Sequence, residues 1–212
     1  MSTSIKVYVP QGSLGVGLFL EEIDLALARD PDAISLDAGS TDSGAAYLAK
    51  GMSKNDRNSV KRDLELLMRA QRTAEIPLLI GTAGQAGGDL NVDWTRDIVL
   101  EIAKEKGYSP KIALLYSEQS PEIVKRKLAE GRISNLPPLG DLDEARIDRC
   151  LHIVALMGPE PYFAALEAGA DMARSPPHST RSSRTARPPS RSVYSPASPN
   201  TTQRPISAPT IS

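Results

Sequence analysis

The stretch "AISLDAGSTDSG", residues 33–44, runs from an apolar segment through Asp37 into two glycines, two serines, a threonine and a second aspartate. Nearly every position of its first half is apolar, rather than every other one. That pattern belongs to a strand of a parallel sheet covered on both faces. The polar second half then reads as a loop beyond the strand's carboxyl end, which is where ligands collect in open parallel sheets.

Working outward, "IKVYV" (5–9), "PLLIG" (77–81), "KIALLY" (111–116) and "HIVALMG" (152–158) are similar short runs that end at Gly, Pro, Asp or Ser. Helical periodicity lies between them. Val60, Leu64, Leu67 and Met68 share one face of "SVKRDLELLMRAQ", and Ser59 gives a partial N-cap. Trp94, Ile98 and Ile102 form a stripe that Gly107 ends, and Ser120-Pro121 with Gly131 punctuates a helix over 120–131. The alternation predicts an α/β fold: an open, mostly parallel sheet of repeated βα units, Rossmann-like, either whole or truncated. Five strands are too few to close a barrel, so the alternative is a fragment of a (β/α) barrel.

From Ala173 onward the composition changes. Among these 40 residues are 8 Pro, 10 Ser, 5 Thr and six Arg, with no Lys and no acid. Such a segment buries too little apolar surface to offset its ordering entropy. The expected organisation is an α/β domain over 1–172 and a disordered tail over 173–212. The tail reads as a plain extension, an arginine-serine segment for RNA, or an out-of-frame translation.

With a formal charge of -1 overall and six tail arginines, residues 1–172 are acidic, which gives no electrostatic footprint for nucleic acid. One cysteine, Cys150, forms no internal disulfide and reads as a small buried hydrophobe; two histidines are too few for a zinc cluster. No apolar run approaches bilayer length and the N-terminus has no signal-peptide pattern. The expectation is a cytoplasmic protein with a small-molecule ligand, no nucleic-acid or membrane partner, and an oligomeric state left open, a homo-oligomer included.

Three glycine-rich loops share the expected ligand edge: "PQGSLGVG" (10–17), "DAGSTDSG" (37–44) and "GTAGQAGGD" (81–89). Glycine lets main-chain N–H groups approach an anion closely, and helix N-termini add a favourable dipole. No known phosphate motif is complete. The glycines at 12, 15 and 17 reverse G-x-G-x-x-G, and 81–89 lacks the Lys-Ser/Thr of a P-loop. By residue type, Asp37 and Asp42 are the candidate catalytic pair, or else they cap their own turns. Gly39, Ser40, Thr41, Gly81, Gly84, Gly87, Gly88, Asp89 and Glu118 are the candidate ligand-binding set. A pair of the carboxylates would suit Mg²⁺. His152 starts a strand and is expected at the opposite edge, as a core or rim histidine.

"DAGSTD", "VKRDLELLM", "IPLLIGTAGQAGGD" and "HIVALMGPEPYFAALEAGAD" together resemble the N-terminal part of the acyclic terpene utilisation AtuA-like family, over roughly residues 5–171. The resemblance implies an α/β region and a metabolic role, catabolic or biosynthetic, with an acyl-CoA thioester or another carboxylate as ligand. It places family motif residues on Asp37, Gly39–Asp42, Gly81, Gly84, Gly87–Asp89 and Glu160. It ends at Met172, so the alternative expectation is a truncated, inactive fragment or an interaction module.

Overall fold

The computed structural model describes residues 4–39, 41–172 and 210–211. Three strands form the parallel sheet: β1 (Val7–Tyr8), β2 (Ala33–Gly39) and β3 (Leu78–Gln85), in the order β1-β2-β3. Helix α1 (Leu20–Leu27) joins β1 to β2; α2 (Thr41–Lys50) and α3 (Arg57–Ala74) join β2 to β3; α4 (Asp89–Lys106) follows β3. Each crossover steps one strand in the same direction, so right-handed connections put their helices on one face. Accordingly α1 packs on α3, and α3 on α4.

The register shows which side chains meet that layer. Tyr8 pairs with Ile34, Ile34 with Leu78, and Leu36 with Ile80. This inner face and the helix stripes Val60/Leu64/Leu67/Met68 and Ile98/Val99/Ile102 form one buried core with Leu14 and Ile23. The opposite face was expected to be covered as well, and it is not. Ile5, Val7 and Val9 are 54, 51 and 62 % exposed. The cause is topological, since a sheet wound in one direction receives its crossover helices on one side only.

Further along, the open parallel α/β pattern gives way to shorter pieces. β4 (Ala113–Leu114) pairs antiparallel with β5 (Thr210–Ile211) rather than extending the sheet. The run 152–158, expected as a buried parallel strand, makes an antiparallel bridge between Val154 and Glu118, with Leu156 84 % exposed. Short helices α5 (Pro121–Ala129), α6 (Glu144–Asp148) and α7 (Glu160–Glu167) complete the described chain. The expectations for residues 173–209 and 212 lie outside the described residues.

The helix ends explain two shifted boundaries. α3 starts before Ser59 because Asp56 is the N-cap: its Oδ1 accepts from the N–H groups of Asn58 (2.9 Å) and Ser59 (3.2 Å). Ser120 caps α5 as expected, accepting from Ile123 N–H, with Pro121 following.

On their solvent side α3 and α4 are joined by Arg57–Glu101 (2.5 Å), Lys61–Glu101 (2.6 Å) and Lys61–Glu105 (2.7 Å). Hydrogen bonds from Arg57 and then Lys61 hold the Glu101 carboxyl down to about 2, against an ordinary 4.5. A depressed carboxylate pKa contributes stability that is complete above 4.5 and is lost as pH falls through about 2. Glu101→Gln should therefore lower the melting temperature by a constant amount above pH 4.5, with the difference from the parent closing towards pH 2. Melting curves across that range check it; a difference independent of pH would mean that the ion pairs do not stabilise the fold.

Candidate functional site

The three glycine-rich segments expected at the carboxyl edge have different fates. The first, 10–17, leaves β1 and wraps over α3. Its Gly15 and Gly17 have φ of +93° and +107°, a backbone that L side chains rarely adopt. Their N–H groups both donate to Asp63 Oδ2, at 2.8 and 3.1 Å, and Gln11 Nε2 donates to the same oxygen at 3.2 Å. Asp63 is on the core face of α3 and fully buried. This anion cradle is thus filled by the protein's own carboxylate.

The second segment is a strand end and a helix start rather than a loop. Asp37–Gly39 end β2, and α2 begins at Thr41, with one residue between them. Sequence periodicity placed the next helix near Ser59 and missed α2. Asp37 is exposed, and its Oδ1 accepts from Gly39 N–H at 2.9 Å, so it closes its own turn. Ser40 and the side chains of Thr41 and Asp42 lie outside the described residues, so the candidate pair Asp37–Asp42 has one described member.

In the third segment, Gly81 and Gly84 belong to β3 and not to a loop. The register slips from Asp37–Gly81 to Gly39–Gln85, which leaves three β3 residues bulged at the carboxyl end. Thr82, with φ +48°, and Gly84, with φ +61°, turn this bulge; a Cβ on Gly84 would lie 2.8 Å from Asn91. Asn91 Nδ2 donates to Gly84 O (3.2 Å) and ties the bulge to α4. Gly87 N–H donates to Ala83 O, and Gly88 is the N-cap of α4.

Here the chain brings together a cluster that the sequence showed only in part. Glu118 Oε1 accepts from Asp89 N–H at 2.9 Å, and Asp89 Oδ1 accepts from Glu118 N–H at 3.3 Å. The α4 N-terminus therefore holds an internal carboxylate, and a Cβ on Gly88 would lie only 3.0 Å from Glu118 Oε1. His152 Nδ1 is 3.1 and 3.2 Å from the two Glu118 oxygens. The expectation that His152 stands at the opposite edge is corrected. A run that crosses 117–119 antiparallel starts where a parallel strand would end; Gln119 N–H donates to Ile153 O, and Ala155 N–H to Ser117 O.

Beside Glu118 lies an open cleft of about 280 Å³ whose lining includes Asp89, Ser120, Cys150 and Ile153. Cys150 is exposed, not buried, and its thiol donates to Arg146 O at 3.3 Å. Among the described residues no group of three His, Cys, Asp or Glu side chains is arranged to hold a metal ion. No described helix is long and apolar enough to cross a membrane.

Sequence reasoning missed Asp63 and His152. An acid at position 63, inside the 60/64/67 apolar stripe, is the signal that would have found the first. Such a residue must meet buried donors, and the glycine loop supplies them. Nothing local in the sequence signals the chain reversal that brings in His152.

Comparison of the chain with protein-family models, with curated proteins and with solved structures finds no match.

Proposed function

We propose that the protein is a small-molecule metabolic protein that takes an anionic intermediate, an acyl-CoA thioester or another carboxylate, at the turn joining β2 to α2. One observation carries this reading. Of the three glycine-rich segments, the first and third already hold Asp63 and Glu118 on their main-chain N–H groups, whereas β2 runs into the N-terminus of α2 at the carboxyl edge. The resemblance to the AtuA-like family, carried by "DAGSTD" and "IPLLIGTAGQAGGD", supports the same ligand class. In this reading the ligand takes its polar contacts from the segment that starts at Asp37 and Gly39, and Mg²⁺ accompanies it where phosphates are present.

The experiment is a melting-temperature panel of short acyl-CoA thioesters, free CoA, simple carboxylates and nucleotides, with and without Mg²⁺. A ligand at tenfold its dissociation constant stabilises the native state by about 1.4 kcal/mol, which is roughly 3–6 °C for a domain of this size. A folded sample whose melting temperature moves with none of them would contradict the proposal.

A second reading, an interaction module or incomplete fragment, is favoured by the uncovered apolar sheet face at Ile5, Val7 and Val9. Concentration-dependent association that vanishes in Val7→Lys would support it.

A further inference from the structure

We propose that β1 pairs with β1 of a second copy of this chain, antiparallel about a two-fold axis at Val7, so that two sheets join into one. The pairing is independent of a ligand at the β2–α2 turn. It rests on the second reading above, association through the uncovered face, and gives that face a partner and a register.

The sheet order β1-β2-β3 leaves one side of β1 without a neighbour among the described strands. The alternation of the ladder shows which main-chain groups face that side. Ile34 N–H donates to Pro77 O, towards β3, so Ala33 and Ser35 turn their main-chain groups to β1. With Val7 beside Ala33 and Tyr8 beside Ile34, the residues that bond to β2 are Lys6 and Tyr8. Lys6 O indeed accepts from Asp32 N–H at 2.8 Å, and Lys6 N–H donates to Asp32 Oδ2 at 2.9 Å. Val7, and on the same alternation Ile5 and Val9, therefore turn their N–H and C=O groups to the open edge. These three residues also carry the exposed apolar side chains of the outer face. Edge strands are normally protected by a charged side chain, a proline or a bulge. The one charge in this run, Lys6, is tied back: its Nζ donates to Arg29 O at 2.8 Å.

A second copy suits this surface because the complementarity lies within the one sequence. A two-fold at Val7 sets Ile5 opposite the other copy's Val9, and Val7 opposite its own equivalent. Apolar side chains then meet along the outer face, and each facing pair exchanges both main-chain hydrogen bonds. On the helix side, Lys6 comes opposite the other copy's Tyr8. Burial, and then the neighbouring Glu22 carboxylate, hold the Tyr8 phenol above its ordinary range, which places Glu22 beside it. Each copy thus offers a cation where the other offers an aromatic ring and a carboxylate. Neighbouring registers lack this match. A two-fold at Lys6 would set two ammonium groups face to face, and one at Tyr8 would set Ile5 opposite the polar Gln11.

The test is sedimentation equilibrium of the full chain from about 1 to about 500 µM, a range that covers small interfaces. The expected result is a reversible dimer. Val7→Pro removes an open-edge N–H and keeps the outer face apolar, while Lys6 and Tyr8 still bond to β2. Its dimer should dissociate about 10-fold or more readily, with an unchanged melting temperature at low concentration. Lys6→Glu and Glu22→Lys should each weaken the dimer, and the two combined should restore it. In a Cys150→Ser background, which removes the only native cysteine, Ile5→Cys chains should cross-link to Val9→Cys chains and not to one another. If Val7→Pro does not fold, the charge exchange and the cross-links decide. A chain that stays monomeric throughout overturns the pairing and the second reading together. A dimer that survives Val7→Pro and the single charge reversals, or that links Ile5→Cys chains to one another, overturns the pairing and leaves association by another surface. The ligand reading is judged by its own melting panel and is untouched by either result.

Discussion

Asp63→Ala is expected to cost about 3 kcal/mol of folding stability, the sum of two half-buried backbone donors losing a buried charged acceptor at about 1–3 kcal/mol each, partly offset by water entering the loop. The melting temperature should drop by roughly 6–12 °C. Nothing in the apolar core changes in this variant, because Val60, Leu64 and Leu67 keep their places around position 63. What is lost is the single Oδ2 on which Gly15 N–H, Gly17 N–H and Gln11 Nε2 converge. Asp63→Asn keeps an oxygen at that point but removes its charge, so its cost should be smaller, about 1 kcal/mol. Urea midpoints for the two variants, with amide exchange at Gly15 and Gly17, check the assignment. Equal losses in Ala and Asn, with unchanged exchange at the two glycines, would show that Asp63 is not their acceptor.

Gln71→Met is expected to work in the other direction, raising stability by about 2 kcal/mol. Gln71 is fully buried on the core face of α3, and neither atom of its side-chain amide has a hydrogen-bond partner among the described residues. Its backbone carbonyl is used, accepting from Glu75 and Ile76 at the left-handed helix end, but the side chain is not. An unbranched thioether of similar length fills the same space without a polar group to desolvate, and its flexibility absorbs a small mismatch. Alanine at the same position would leave a void and should not stabilise. A urea midpoint for Gln71→Met equal to or below that of the parent would mean that the amide is satisfied in solution.

These two residues also show what was legible in the sequence. Periodicity identified the α3 core stripe, and Asp63 and Gln71 stand at its spacing: Asp63 lies three residues from Val60 and four from Leu67, and Gln71 four from Leu67 and three from Met68. The βα alternation likewise delivered β1, β2 and β3 as parallel neighbours, because apolar runs that alternate with well-formed amphipathic helices leave few other arrangements. It failed for 111–116 and 152–158, where an equally apolar run became a two-residue strand and an antiparallel bridge. Short apolar runs carry no direction, and strand orientation is decided by contacts far along the chain. The same ambiguity moved His152 to the wrong edge. Helix α2 was missed because Thr41–Gly44 has turn composition and its described side chains make no apolar stripe against the core.

For the site, sequence composition marked Gly87, Gly88, Asp89 and Glu118, and the structure joins all four around the α4 N-terminus. Composition could not tell a cradle waiting for a ligand from one already occupied. That distinction depends on whether a carboxylate from another element arrives, as the buried Asp63 and the half-buried Glu118 do.

The most direct test is therefore amide mapping: a ¹H–¹⁵N spectrum of the full-length protein titrated with a short acyl-CoA thioester. The expected result is movement concentrated at Gly39 and residues 41–44, extending along α2 to Gly51, while Gly15, Gly17 and Asp89 stay in place under Asp63 and Glu118. Shifts centred on Gly15, Gly17 or Asp89, or a saturating titration that moves no amide, would contradict the assignment of the ligand to the β2–α2 turn.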